Sequence, residues 1–196
     1  LQDFSSWTER YLAAAAAQRV DLEKEGVELA LARRPVFQKL IQTDPRSALE
    51  QAVPRVVRQD LPEAVVAWLE KPVSAKGDYN VYLGKPAPGV PVPAEGLSLR
   101  YFEADGVSYK AHVFGELTPV MSRKGVPLRG VSIDRDMAVA ENAVRRLEVG
   151  ERIPEGTLVE QTCPVSGLTT SAVSEGEAVT DESPTVEIGN RIITLC

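Results

Sequence analysis

The sequence predicts an α+β fold: an N-terminal helical region, a small antiparallel β-sheet or barrel after it, and a β-hairpin arm closed by cysteines. Three observations carry this expectation. Apolar residues recur at helical spacing up to about residue 72 and in alternation beyond it. Turn pairs such as Asp105-Gly106 and Gly189-Asn190 then separate short alternating runs, as hairpins require. The two cysteines, Cys163 and Cys196, both fall in the last part of the chain. Three regions follow: helices over 1–72, an antiparallel β domain over 73–150, and an acidic arm over 151–196.

The first helix is expected to start at Ser6-Trp7-Thr8-Glu9, whose spacing suits a capping box. Phe4, Trp7, Tyr11, Ala15, Leu22, Leu29, Phe37 and Leu40 continue at roughly helical spacing, with Gly26 and Pro35 as the weak points of a long element. Asp44-Pro45, Val53-Pro54 and Leu61-Pro62 each place proline where a new helix can begin, because its fixed φ suits a first turn and its missing amide needs no partner there. Three short helices in series are therefore predicted. The last, from Pro62 to Glu70, sets Val65, Val66, Trp68 and Leu69 on one side, with Trp68 as a core anchor.

Beyond Pro72 the pattern is that of strands. Leu97, Leu99 and Tyr101 alternate with polar residues, as do Val107, Tyr109, Ala111 and Val113 after Asp105-Gly106, which reads as a β-hairpin. Leu128–Ile133 and Met137–Ala140 flank Asp134-Arg135-Asp136 as a second one. Lys76-Gly77-Asp78 reads as a turn, and Lys85–Gly96, with four prolines, as an irregular connection. From Glu141 the chain turns acidic and loop-like, and Ser174–Ser183 has few large apolar groups, so a mobile loop is expected there. Thr185–Ile188 and Ile192–Leu195 around Gly189-Asn190 close the chain as a hairpin ending at Cys196.

Composition narrows function. The 196 residues are 43% apolar and 26% charged, ordinary for a chain with a real core. The net charge of −6 lies wholly after residue 140. A nucleic-acid surface, which needs clustered Lys and Arg to displace counterions, is not expected. No run of 18 apolar residues is present, so no membrane span is expected. With Leu1 and no initiator Met in first position, either removal of a signal peptide or an artificial start to the chain is expected.

Catalytic motifs are missing. The one histidine, His112, falls on the polar side of its strand and reads as a solvated residue; no Gly-x-Ser-x-Gly elbow accompanies it. Neither Gly-x-x-x-x-Gly-Lys nor Gly-x-Gly-x-x-Gly occurs, which disfavours nucleotide chemistry. Asp134 and Asp136 could pair as acid and base, but flanked by strands they read as a solvated turn. The chain is therefore expected to be no enzyme, to have no catalytic residue and to hold no cofactor; a dispersed Asp/Glu site is the alternative that spacing leaves open.

The cysteines allow two readings. The arm has too few large apolar residues to hold itself down by burial, so a Cys163–Cys196 disulfide is expected, and a closed loop of about 34 residues would contribute roughly 4 kcal/mol through the unfolded state. The alternative is two thiolates of a metal site. Cys163-Pro-Val-Ser-Gly167 followed by Val186–Cys196 resembles the opening half of a YHS-type metal-binding module, in which further cysteines follow at once. The likeness implies metal ligation by Cys163 and Cys196. This chain departs from it by stopping at Cys196 and by carrying Ser166 where many metal knuckles have a second Cys.

A second resemblance is broader. Leu29-Ala-Leu-Ala-Arg-Arg, Leu40–Leu49, Val53–Pro62, Tyr109–Gly115 and Val126–Asp134, in that order, resemble the N-terminal region of large secreted bacterial multidomain proteins, some with metallopeptidase domains downstream. That likeness implies an extracytoplasmic or secreted propeptide or accessory domain. Its partner would be the downstream domain of the same precursor or another protein.

Overall fold

The computed structural model describes residues 1–85, 98–163 and 165–195. The connection expected over Lys85–Gly96 lies, from residue 86 on, outside the described residues, as do Leu97, Pro164 and Cys196. The fold is α+β, with an N-terminal helical region, a closed five-stranded barrel and a second five-stranded sheet.

The helices are α1 (Gln2–Ala13), α2 (Ala16–Thr43), α3 (Pro45–Glu50), α4 (Arg55–Arg58) and α5 (Glu63–Val66). Helix α1 starts four residues before the expected capping box, and no side chain caps it. Burial overrides the local signal: starting at Gln2 puts Phe4, Trp7 and Tyr11 on the face that packs against α2, α5 and Leu69. The break falls at Ala14-Ala15, both in extended backbone, and α2 runs unbroken through Gly26 and Pro35. Gly26 is where Trp7 seats: a Cβ there would lie 2.1 Å from the indole ring. The indole N–H donates to the Leu22 carbonyl at 2.9 Å, so a close approach explains the glycine.

The prolines behave as the sequence indicates. Pro45 opens α3 behind Asp44, whose carboxylate accepts from the Ser47 amide at 3.1 Å, and Pro54 and Pro62 cap α4 and α5. Trp68, expected in the core, is 41% exposed; Val65 and Leu69 are buried beside it. Helix α5 ends at Val66, which turns Trp68 away from the face that Val65 shares with the helical core.

The barrel comprises β1 (Lys71–Leu83), β2 (Ser98–Ala104), β3 (Val107–His112), β4 (Arg123–Ile133) and β5 (Asp136–Val139), closed in the order β1-β2-β3-β5-β4. The strand order fixes geometry and carries no function by itself. β5 runs parallel to β3, and the other pairs are antiparallel. Asp105 and Gly106 both take positive φ, the form of a tight hairpin turn. Lys76-Gly77-Asp78 is not a turn but the middle of β1, where the register with β4 shifts between Gly77 and Tyr79. Gly77 sits so near the Glu103 carbonyl that a Cβ would overlap it.

Ala75, Tyr79, Phe102, Ala104, Ala111, Leu128, Met137 and Val139 fill the barrel. A separate seam, Phe37, Ile41 and Ala48 against Val131, Ile133 and Ala138, fastens α2 and α3 to β4 and β5.

The second sheet, of order β6-β9-β10-β7-β8, is built from β6 (Val144–Arg146), β7 (Leu158–Thr162), β8 (Thr169–Val173), β9 (Thr185–Ile188) and β10 (Arg191–Leu195). The expected terminal hairpin is β9–β10, and it sits inside this sheet because β10 also pairs in parallel with β7. The acidic arm has its own core in Leu147, Ile153, Val159, Val179 and Ile192. Ser174–Ser183, expected as a loose loop, is pinned: the Ser174 hydroxyl donates to the Ile153 carbonyl at 3.2 Å, and Val179 exchanges backbone hydrogen bonds with Glu151 and Gly150.

Candidate functional site

The cysteine arm was the strongest candidate in the sequence. Cys163 ends β7 in a tight turn: the Gly167 amide donates to its carbonyl at 2.8 Å and the Ser166 amide to its sulfur at 3.5 Å. Contacts with Ser166, then the Val165 amide, hold the thiol below its ordinary pKa. Among the described residues Cys163 forms no disulfide, and Cys196 lies outside them. A cysteine-closed arm therefore has no support in the fold. What closes the arm is pairing and burial, with β10 held between β9 and β7 over the five-residue core. The expected shortage of apolar groups is met by residues too dispersed in sequence to register in any short window. Among the described residues, no group of three or more His, Cys, Asp or Glu is gathered for a metal.

His112 and Asp136 are not the solvated residues the sequence suggested. Parallel pairing of β3 with β5 sets His112 opposite Ala138, and its Nε2 meets the Asp136 carboxylate at 2.8 Å. Gln38 and Gln42, one turn apart on α2, donate to the other carboxylate oxygen at 3.0 and 3.1 Å. Burial pushes the Asp136 carboxyl up, but the hydrogen bonds from His112, Gln38 and Gln42 outweigh it, so the group sits below its ordinary pKa. Asp134, at positive φ, pairs with Arg34 of α2 at 2.5 Å. Every named partner of this turn is a side chain of α2 or of β3. It works as a clasp between the helices and the barrel.

A second clasp joins the helices to the second sheet. Arg145 of β6 grips Glu151 with both terminal nitrogens at 2.7 Å and donates from Nε to Glu187 of β9 at 3.0 Å. Arg55 of α4 reaches the other Glu187 oxygen at 3.1 Å. Arg129 of β4 lines a cleft together with Arg55, Arg145 and Glu187. Burial opposes ionisation of Glu151, and hydrogen bonds from Arg145 and the Glu148 amide overcome it, leaving its pKa low. The only sequence trace of this cluster is that Glu187 alternates onto the same face as Thr185, between Val186 and Ile188. Two clefts flank it, of about 300 and 530 Å³, sharing Arg55, Pro72, Arg145 and Glu187.

The second sheet presents a different kind of surface. Its inner face carries Val159, Ile192 and Glu187, and the registers put Val144, Val186, Ile193, Leu195, Leu158 and Val173 on the other. Val173 is 63% and Leu158 56% exposed. The edge strand β8, Thr-Thr-Ser-Ala-Val, is exposed throughout, pairs on one side only among the described residues, and has neither the charge nor the proline that commonly blunts an edge. Such a surface can accept an added strand through its free amides and carbonyls.

No helix among the described residues is long and apolar enough to cross a membrane. No protein-family model, no curated protein and no solved structure matches the chain.

Proposed function

We propose that this chain is a non-catalytic accessory or pro-domain of a secreted bacterial protein. It would dock the downstream region of its own precursor along the free edge β8 and the outer face of the second sheet. The observation that carries the reading is that uncharged, one-sided edge beside exposed Leu158 and Val173. An edge of this kind binds an extended segment by main-chain hydrogen bonds, and alternate side chains on the face give selectivity. Its clasps favour such a role as well, since they hold the helices, the barrel and the sheet as a preformed surface that loses little freedom on binding.

The test is titration of the separately produced polypeptide encoded after residue 196 against this chain. Saturable binding that is lost in Ser171→Pro, with the fold kept by circular dichroism, supports the reading. A missing downstream region, or one that shows no binding, removes it.

One observation favours a second reading, the metal-binding module. Thr162 and Leu195, the residues just before the two cysteines, are register partners in the parallel β7/β10 ladder. Together with the Ser166 amide directed at the Cys163 sulfur, this favours Cys163 as a thiolate ligand, with a disulfide as the competing outcome of the test. Intact mass after alkylation without reductant separates these. No added alkyl group marks the disulfide; two added groups with zinc retained in native mass spectrometry mark the metal module.

A further inference from the structure

We infer that the smaller of the two clefts beside the Arg145 clasp is a binding site for a carboxylate carried on a short aliphatic stem, with Arg129 as its seat. The inference starts from the pairing of side chains in the inner cluster. Three guanidiniums, Arg55, Arg129 and Arg145, meet there with two carboxylates, Glu151 and Glu187. Both carboxylates are occupied: Glu151 takes the fork of Arg145, and Glu187 is shared between Arg145 and Arg55. Of the three guanidiniums, Arg129 is the one without a carboxylate partner among the described residues; Glu50 and Glu148 line the same cleft but pair with no arginine there.

Arg129 is half-buried in β4, and its Nε donates to the Asn142 carbonyl at 2.7 Å, which fixes the guanidinium plane. Its two terminal nitrogens make no hydrogen bond and no ion pair among the described residues. A guanidinium anchored at Nε and open at both terminal nitrogens presents a planar fork, which matches the two oxygens of a carboxylate. Burial, then Arg145 and Arg55 against the opposing Glu187, hold Arg129 below its ordinary pKa.

The cleft supplies the rest of the recognition. Its volume is about 300 Å³, the lower end of small-molecule sites. Leu49, Val53, Pro54, Val73 and Val131 wall it, which suits a stem of a few methylenes. Glu50, Glu148 and Glu187 also line it, and a doubly charged phosphate would be repelled by them more than a singly charged carboxylate. The shared chemistry fits a free aliphatic acid or the carboxyl end of a peptide.

The test is a two-dimensional amide NMR titration of the full chain with hexanoate, with N-acetyl-leucine as a mimic of a chain terminus. Hexanamide and inorganic phosphate complete the set. Saturable shifts centred on Val53, Gly130 and Arg145 are expected with hexanoate or N-acetyl-leucine, and the tighter of the two identifies the source. Arg129→Gln should weaken them by about tenfold or more, as loss of a charge-assisted fork implies, whereas Arg123→Gln, at an exposed position of the same strand, should change nothing. Hexanamide binding as well as hexanoate, phosphate binding better than either acid, or an unchanged titration in Arg129→Gln would overturn the inference. The hexanamide comparison uses the unaltered chain and so decides even where Arg129→Gln fails to fold.

Discussion

The helical region and the second sheet both clamp glutamates between arginines, but they do so at different depths. Glu70, at the entry to β1, is 1% exposed and bonds to Arg33, to Arg58 and, at 2.7 Å, to the Val53 amide. Arg33 itself is buried, with its guanidinium 4.2 Å from the centre of the Phe37 ring. In the second sheet Glu151 and Glu187 are also buried, but their partner Arg145 is 19% exposed against 4% for Arg33, and the clasp borders two open clefts over a core of five residues. A buried pair is costly to break because the surviving charge has no water to turn to, whereas a pair on a cleft wall keeps solvent as a fallback. The helices are thus held where failure is global, and the sheet where failure is local.

The largest effect should come from Glu70→Ala. It strands Arg33 and Arg58, and loss of one partner of a buried ion pair costs about 3–5 kcal/mol. Chemical denaturation should show the whole transition moving to lower denaturant with the slope kept. A loss below about 1 kcal/mol would mean that water reaches this pair and would erase the contrast in depth.

Arg145→Gln should cost less, about 2 kcal/mol, because Glu187 keeps Arg55, Glu151 keeps the Glu148 amide, and an open cleft borders both carboxylates. Hydrogen exchange should locate the damage: amides of β6, β9 and β10 should lose protection while those of β1 to β4 keep theirs. Uniform loss across both sheets would show that the two regions unfold as one.

Gly26→Ala sets two terms against each other within the helical region. Alanine raises helix propensity by about 1 kcal/mol, and overpacking against Trp7 costs about 1–3 kcal/mol. The contact of 2.1 Å with a ring already fixed by its bond to Leu22 lets the second win. A net loss near 1 kcal/mol in thermal denaturation is expected. Gain of stability would mean that the helix pair separates to admit the methyl.

These sites differ in how far they could be read from the chain. The α+β class, the change of period near Pro72, the proline-opened helices and the Asp105-Gly106 hairpin were legible, because each is written in adjacent residues. Gly26 was misread as a weak point because its partner Trp7 is 19 positions away. Lys76-Gly77-Asp78 looked like a turn because its composition says nothing of the bulge that the β4 register imposes. Most of the candidate site was illegible for the same reason: Arg55, Arg129, Arg145 and Glu187 come from four elements, and the β9–β6 pairing and the Arg55–Glu187 bond join positions far apart in sequence.

The smallest expected effect is on pH dependence, and it sharpens the comparison by giving each region its own reporter. Asp136, in the seam between helices and barrel, and Glu151, in the second sheet, both have folded pKa values below their ordinary ones, through donors that outweigh burial. A carboxyl depressed in the folded state binds its proton more readily when unfolded. The stability it contributes is therefore complete above the ordinary carboxylate range, and it fades as pH falls through that range to the lower folded value. Asp136→Asn should flatten the acid limb of global stability, since Gln38, Gln42 and His112 would no longer favour a charged partner. Glu151→Gln should leave that limb nearly unchanged and instead remove the acid-induced loss of amide protection in β6, β9 and β10. If both variants alter the same global transition equally, the sheet has no local failure of its own, and its clasp belongs with the buried one.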